Sequence, residues 1–105
     1  MEDLTISPED AKKKLNNKNT FLLDVRNKDE YKISKIENAK LIPVNEIQER
    51  IKEIPKNKEI IIYCHHGTRS YHAAIFLKQT GYNAKSISGG IDAWSEKIDN
   101  KIPRY

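Results

Sequence analysis

The residues best suited to chemistry lie together, from position 64 to position 70. Cys64 is the single cysteine of a 105-residue chain, and His65, His66, Gly67, Thr68, Arg69 and Ser70 follow it directly. Upstream, Ile60, Ile61 and Ile62 are β-branched and apolar without alternation, as in a strand covered on both faces. From Ser70 the spacing turns helical, with Ala73, Ala74 and Leu77 on one face and Gly81 as a stop. Cys64 is therefore expected at the carboxyl end of a parallel strand, just before a helix, where open α/β sheets bind ligands. The backbone N–H groups of residues 65–70 lack helical partners upstream and can converge on an anion. Such a nest favours negative charge on sulfur. Gly67 permits a tight turn, and Arg69 adds a permanent, forked cation suited to oxyanions. Together these residues read as a nucleophilic cysteine site that binds an anionic substrate through His65, His66, Gly67, Thr68, Arg69 and Ser70.

The rings of His65 and His66 are expected to face solvent at the pocket rim, since a sulfur held by backbone N–H groups needs no adjacent base. A metal site from Cys64, His65, His66 and His72 is not expected: the loop would force the adjacent histidines apart, and no second carboxylate or cysteine stands near. No metal and no cofactor enters this reading. With one cysteine, an intramolecular disulfide and a resolving cysteine in the same chain are excluded.

The elements that must position this loop read as alternating strands and helices. Leu4-Thr5-Ile6 is a short first strand. Ser7 caps a helix with Pro8 at its first position and two acids, Glu9 and Asp10, on its positive end; it runs to about Leu15. Phe21 to Val25 is a second buried strand, with Asp24 and Arg26 at its carboxyl end as supporting site residues. A short helical piece runs from Asn27 or Lys28 to Ile33, with Tyr31 packing inward. Lys40 to Pro43 is a strand stopped by proline. Asn45 is expected to cap a helix from Glu46 to about Ile54, with Ile47, Ile51 and Ile54 on one face. After the central strand and its helix, Tyr82 to Ile87 is a fifth strand, Ser88-Gly89-Gly90 a tight turn, and Ile91 to about Ile98 a last helix with Trp94 in the core. Gly89 and Gly90 are expected to form part of the pocket wall. The tail to Tyr105 shows no further pattern. This alternation implies one α/β domain over residues 1–105, core about 5–98, with a mostly parallel five-stranded sheet and helices on both faces.

Composition narrows the function classes. The net charge is +4, spread over scattered lysines with no basic run interleaved with aromatics, so nucleic-acid binding is not expected. The start of the chain, Met1-Glu2-Asp3-Leu4, is acidic and lacks the apolar run of a signal peptide. No stretch approaches membrane-spanning length. The expectation is a cytoplasmic, monomeric protein with no membrane association.

With these pieces in place the sequence resembles the rhodanese family of sulfurtransferases, from Ile6 to Trp94. Four segments carry the resemblance: Phe21-Leu-Leu-Asp-Val-Arg26 followed by Glu30-Tyr31; Ile36 to Pro43; Tyr63-Cys64-His-His-Gly-Thr-Arg-Ser70; and Gly81-Tyr-Asn-Ala followed by Ser88-Gly-Gly-Ile-Asp-Ala-Trp94. The resemblance implies a three-layer fold and a Cys64 that takes a sulfane sulfur from a donor such as thiosulfate, becomes a persulfide, and passes the sulfur to a thiophilic acceptor. That acceptor would be cyanide in vitro, and a thiol or protein partner in the cell. Arg69 would bind the donor's sulfonate oxygens. The chain departs from the family at Ser34-Lys35-Ile36-Glu37-Asn38, where a Gly-His-Ile-x-Gly pattern is common; Asn38 can take the left-handed turn that glycine would fill.

Two other readings remain open at this point. Phosphatases and arsenate reductases of related fold use a Cys-x5-Arg loop, whereas Cys64 and Arg69 are separated by four residues, a shorter loop that suits a single sulfur atom. A sulfur-relay or binding module with little turnover of its own would keep the same residues.

Overall fold

A computed structural model of the chain describes residues 3–105; Met1 and Glu2, part of the acidic start noted above, lie outside the described residues. Its strands are β1 (Thr5–Ile6), β2 (Thr20–Asp24), β3 (Lys40–Leu41), β4 (Glu59–Tyr63) and β5 (Asn83–Ile87), and its α-helices are α1 (Pro8–Leu15), α2 (Lys28–Ile33), α3 (Thr68–Gln79) and α4 (Gly90–Lys97). The strands form one sheet in the order β1-β5-β4-β2-β3. Every neighbouring pair is parallel. Four parallel crossovers need long connections; α1, α2 and α3 supply three of them, and the segment between β3 and β4 supplies the fourth.

The non-alternating apolar run of β4 is explained by burial on both faces. Ile60, Ile62 and, beyond the strand, Cys64 face a cluster containing Leu23, Ile42, Ala73, Ala74 and Leu77. Ile61 and Tyr63 face the other layer, with Leu22, Ile87, Ile91 and Trp94. This period-two split points Cys64 to the α3 side of the sheet. At the N-terminus of α1, Asp10 N–H donates to Ser7 Oγ at 3.1 Å, as the capping reading expected. Among the described residues no helix is long and apolar enough to cross a membrane.

One element differs from expectation. In place of a helix over residues 46–54, the chain forms two single 3₁₀ turns, Val44–Glu46 and Ile51–Glu53. Ile47 and Ile54 are buried and Ile51 packs against the same cluster, so the apolar spacing was a true burial signal. The turns are separated at Arg50, with φ −108° and ψ 20°, and the second ends at Ile54, which precedes Pro55 and takes extended angles, φ −102° and ψ 119°. Tyr31, expected to pack inward, is half-buried, and α2 has no buried residue. In the turn after α2, Asn38 stands at φ 70°, the left-handed position its side chain tolerates.

Candidate active site

Cys64 lies one residue beyond β4, with only 1% of its surface exposed. Two backbone N–H groups donate to its sulfur: Gly67 at 3.1 Å and Ser70 at 3.4 Å. Ser70 Oγ lies 3.4 Å from the same sulfur. The loop can curl this tightly because Gly67 sits at φ +115°, a conformation that side chains rarely adopt. It also starts the 12-residue α3, so the Ser70 N–H, which has no helical partner in that first turn, is free to reach the sulfur.

The loop is held from the other side by the last helix. Ile91 N–H donates to the Cys64 carbonyl at 2.9 Å, and Asp92 N–H to the His65 carbonyl at 3.2 Å. A Cβ on Gly90 would stand 2.4 Å from the His65 carbonyl oxygen, so this contact is closed to any larger residue. The amino ends of α3 and α4 therefore grip one loop, the first at the sulfur and the second at the backbone. Gly89 and Gly90, expected as pocket wall, belong to this grip, and Gly89 also lines a pocket of about 330 Å³ beside the loop together with His66, Gly67, Thr68, Tyr71 and His72.

Behind the sulfur, Ser70 Oγ pairs with Ser86 Oγ at 2.7 Å and donates to the Gly67 carbonyl at 3.2 Å. Both serines are buried. Ser86 was not expected as a site residue; its only signal was a small hydroxyl in strand β5.

Asp24 and Arg26 are fully buried and pair with each other, Arg26 Nη2 to Asp24 Oδ2 at 2.7 Å. Arg26 also donates to the carbonyl of Ser34 at 2.7 Å and to Tyr105 Oη at 2.9 Å. Burial opposes its charge, but the bonds to Asp24 and Tyr105 outweigh that and raise its pKa. The Tyr63 phenol is pushed up by burial and by the Asp24 carboxylate, and stays neutral while it accepts the Ile36 N–H at 3.1 Å. These bonds fix the 34–38 turn, where the sequence departs from the common family pattern.

Arg69 is not a free cation. Its Nη1 and Nη2 donate to Glu30 Oε1 and Oε2 at 2.7 and 2.9 Å, a two-pronged pair. Glu30 also accepts from the Asn27 N–H at 3.1 Å and from the Tyr105 hydroxyl at 2.8 Å. The hydrogen bonds from Arg69 hold the Glu30 carboxyl down at about 2, against burial, which pushes it up. Nothing in the local sequence around Glu30 signals a partner 39 residues away.

The histidines also differ from expectation. The His65 and His66 rings are stacked at 3.8 Å instead of being forced apart, and Tyr105 stacks on His65 at 3.8 Å and 6°. His65 is half-buried, with its Nε2 enclosed and unpartnered. A carboxylate does stand near: His65, His66 and Asp92 bring donor atoms within 4.8 Å of one another. Asp92 is already engaged by Arg104, at 3.0 Å through Nε. His72 lines the neighbouring pocket instead.

The family described as rhodanese-like domain matches residues 7–97. A sulfurtransferase of Allochromatium vinosum is 40% identical over 71% of this chain and 71% of its own length. A tRNA uridine(34) hydroxylase of Buchnera aphidicola is 35% identical over 95% of this chain but only 35% of its own length, so the chain spans about a third of that relative. A rhodanese-like domain protein of known structure from Staphylococcus aureus superposes with a TM-score of 0.82 at 31% identity, covering 96% of this chain and 97% of that one. By matched family and by fold, the chain belongs to the rhodanese-like domain family.

Proposed function

We propose that this protein is a sulfurtransferase that carries a sulfane sulfur as a persulfide on Cys64. The observation that carries the reading is the pair of N–H groups, Gly67 and Ser70, aimed at the cysteine sulfur at the head of α3. In the loading step the Cys64 thiolate attacks the outer sulfur of the donor. The new S–S bond forms as the donor's own breaks, and the leaving group departs with the electron pair: sulfite from thiosulfate, or a thiolate from an alkyl persulfide. In the second step an acceptor thiolate attacks the outer sulfur of the persulfide and Cys64 leaves as thiolate. At each stage one sulfur is anionic, and preorganised N–H groups favour the charge where it develops. Ser70 Oγ, itself held by Ser86, stands ready beside the same atom. The acceptor, a thiol or a protein cysteine, approaches through the pocket beside the loop.

A phosphatase is the competing use of such a loop. It is disfavoured by the four-residue spacing from Cys64 to Arg69 and by the pairing of Arg69 with Glu30. Intact mass after exposure to a sulfane-sulfur donor tests the reading: one added sulfur, about 32 Da, on the native protein and none on Cys64→Ala. Retention of the added mass by the alanine variant, or release of phosphate from an aryl phosphate by a protein that no donor loads, overturns it. Cys64→Ser, which changes volume little, abolishes transfer and keeps the fold.

A further inference from the structure

We infer that Glu30 sets donor selectivity, turning the site away from sulfonate-bearing dianions such as thiosulfate and towards persulfides. This rests on the sulfurtransferase reading and specifies the substrate class of the same cysteine. Arg69 is the permanent cation of the loop, five residues after Cys64. Both of its terminal nitrogens are committed to Glu30, at 2.7 and 2.9 Å. Glu30 is fixed in turn by the Asn27 N–H and the Tyr105 hydroxyl, so the carboxylate is held by four hydrogen bonds from three partners. The pair is electrically compensated, and its acidic member stays ionised down to about pH 2.

The two donor classes differ at this point. Thiosulfate brings three sulfonate oxygens and two negative charges, and its leaving group is a dianion. Its binding needs a cation with free donors, and an arginine fork serves that need well. Here Glu30 takes one N–H of each terminal nitrogen, so the end-on fork is occupied, and a thiosulfate ion competing for that face of Arg69 must displace a preorganised carboxylate and then sit beside its charge. An alkyl persulfide makes no such demand. Its terminal sulfur is attacked by Cys64, the S–S bond of the donor breaks, and a monoanionic thiolate leaves; the charge to be stabilised stays at the sulfur atoms, within reach of the Gly67 and Ser70 N–H groups. Discrimination thus comes from an unfavourable element placed against one donor as well as from contacts that suit the other.

The test compares second-order loading rates of Cys64, followed by intact mass, for thiosulfate and for the persulfide of N-acetylcysteine methyl ester, which carries no sulfonate, carboxylate or ammonium group. Glu30→Gln is nearly isosteric, and its amide oxygen can still accept from the Asn27 N–H. In this variant the thiosulfate rate rises about ten-fold while the persulfide rate stays within about two-fold. The double variant Glu30→Gln with Arg69→Ala loses the gain. The ratio of two rates in one preparation cancels any unfolded fraction, so a partly destabilised variant still decides the matter. A thiosulfate-to-persulfide ratio unchanged in Glu30→Gln, or a gain that survives loss of Arg69, overturns the inference. Loading of the native protein by neither donor refutes the sulfurtransferase reading itself, a result distinct from an unchanged ratio. A third arm, persulfidated serum albumin, separates protein from small-molecule sources: loading within about two-fold of the small persulfide marks a site open to protein donors, and a much slower rate limits the inference to small persulfides.

Discussion

At the scale of single residues, charge at this site is arranged in pairs. Asp24 and Arg26 neutralise each other in full burial, and Glu30 and Arg69 do so at the loop's edge. The second pair has a pH signature. The Glu30 carboxyl lies at about 2 in the fold, below its ordinary 4.5. A depressed carboxyl stabilises the fold when ionised, so its contribution is complete above about pH 4.5 and is lost as pH falls towards about 2. Arg69 is one-third exposed, and screening by water keeps the contribution modest. Melting curves of native protein and Glu30→Gln should therefore differ by a few degrees near neutral pH and converge towards pH 2. A gap that stays constant across that range would show that the pair does not carry this linkage. The position of Cys64 was legible in the sequence because an apolar run before it and helical spacing after it mark a strand end; Arg69 was legible as the cation of that loop, but its pairing with Glu30 was not. An acid three residues after Asn27 reads as a helix cap, and its second bond crosses 39 residues.

At the scale of elements, the site depends on two helix amino ends meeting at one loop. The sheet order puts β4 between β5 and β2, so α3, which follows β4, and α4, which follows β5, start side by side. Gly90 is where they touch. At φ +62°, a Cβ there would come within 2.6 Å of the Cys64 carbonyl oxygen, a collision with backbone that no rotamer relieves. Gly90→Ala should lower stability by about 2–3 kcal/mol and slow the sulfur loading of Cys64, read by urea denaturation and by intact mass. A variant that melts and loads like the native protein would mean that the α4 grip is dispensable. The strands and helices were legible because apolar period and caps agree locally. Residues 44–54 were not: the spacing of Ile47, Ile51 and Ile54 records which side is buried, and that side is shared by an α-helix and by two 3₁₀ turns. Pro55 bars Ile54 from helical angles but leaves the preceding residues free to take either form.

At the scale of the whole molecule, the end of the described chain returns to the site. Tyr105 lies against His65 and places its hydroxyl between Arg26 and Glu30, joining the tail to the segment after β2, to α2 and to the 64–70 loop in one contact. No periodicity or composition marks this residue, since a lone aromatic in an irregular tail finds its place only when five strands have already brought Arg26, Glu30 and His65 together. The contact closes late in the hierarchy and holds little buried surface, as Tyr105 remains 37% exposed. Its loss should therefore act locally. Tyr105→Ala removes one stacking pair and two hydrogen bonds, for a cost of about 1–2 kcal/mol. Hydrogen exchange should quicken at the amides of residues 64–67 and in α2, which the tyrosine steadies. The amides of β4, paired on both sides within the sheet, should keep their native rates, because they open only with the whole domain. Equal acceleration in β4 and in the loop would make Tyr105 a support of global stability. No acceleration in the loop would leave the stack without a role in ordering the site.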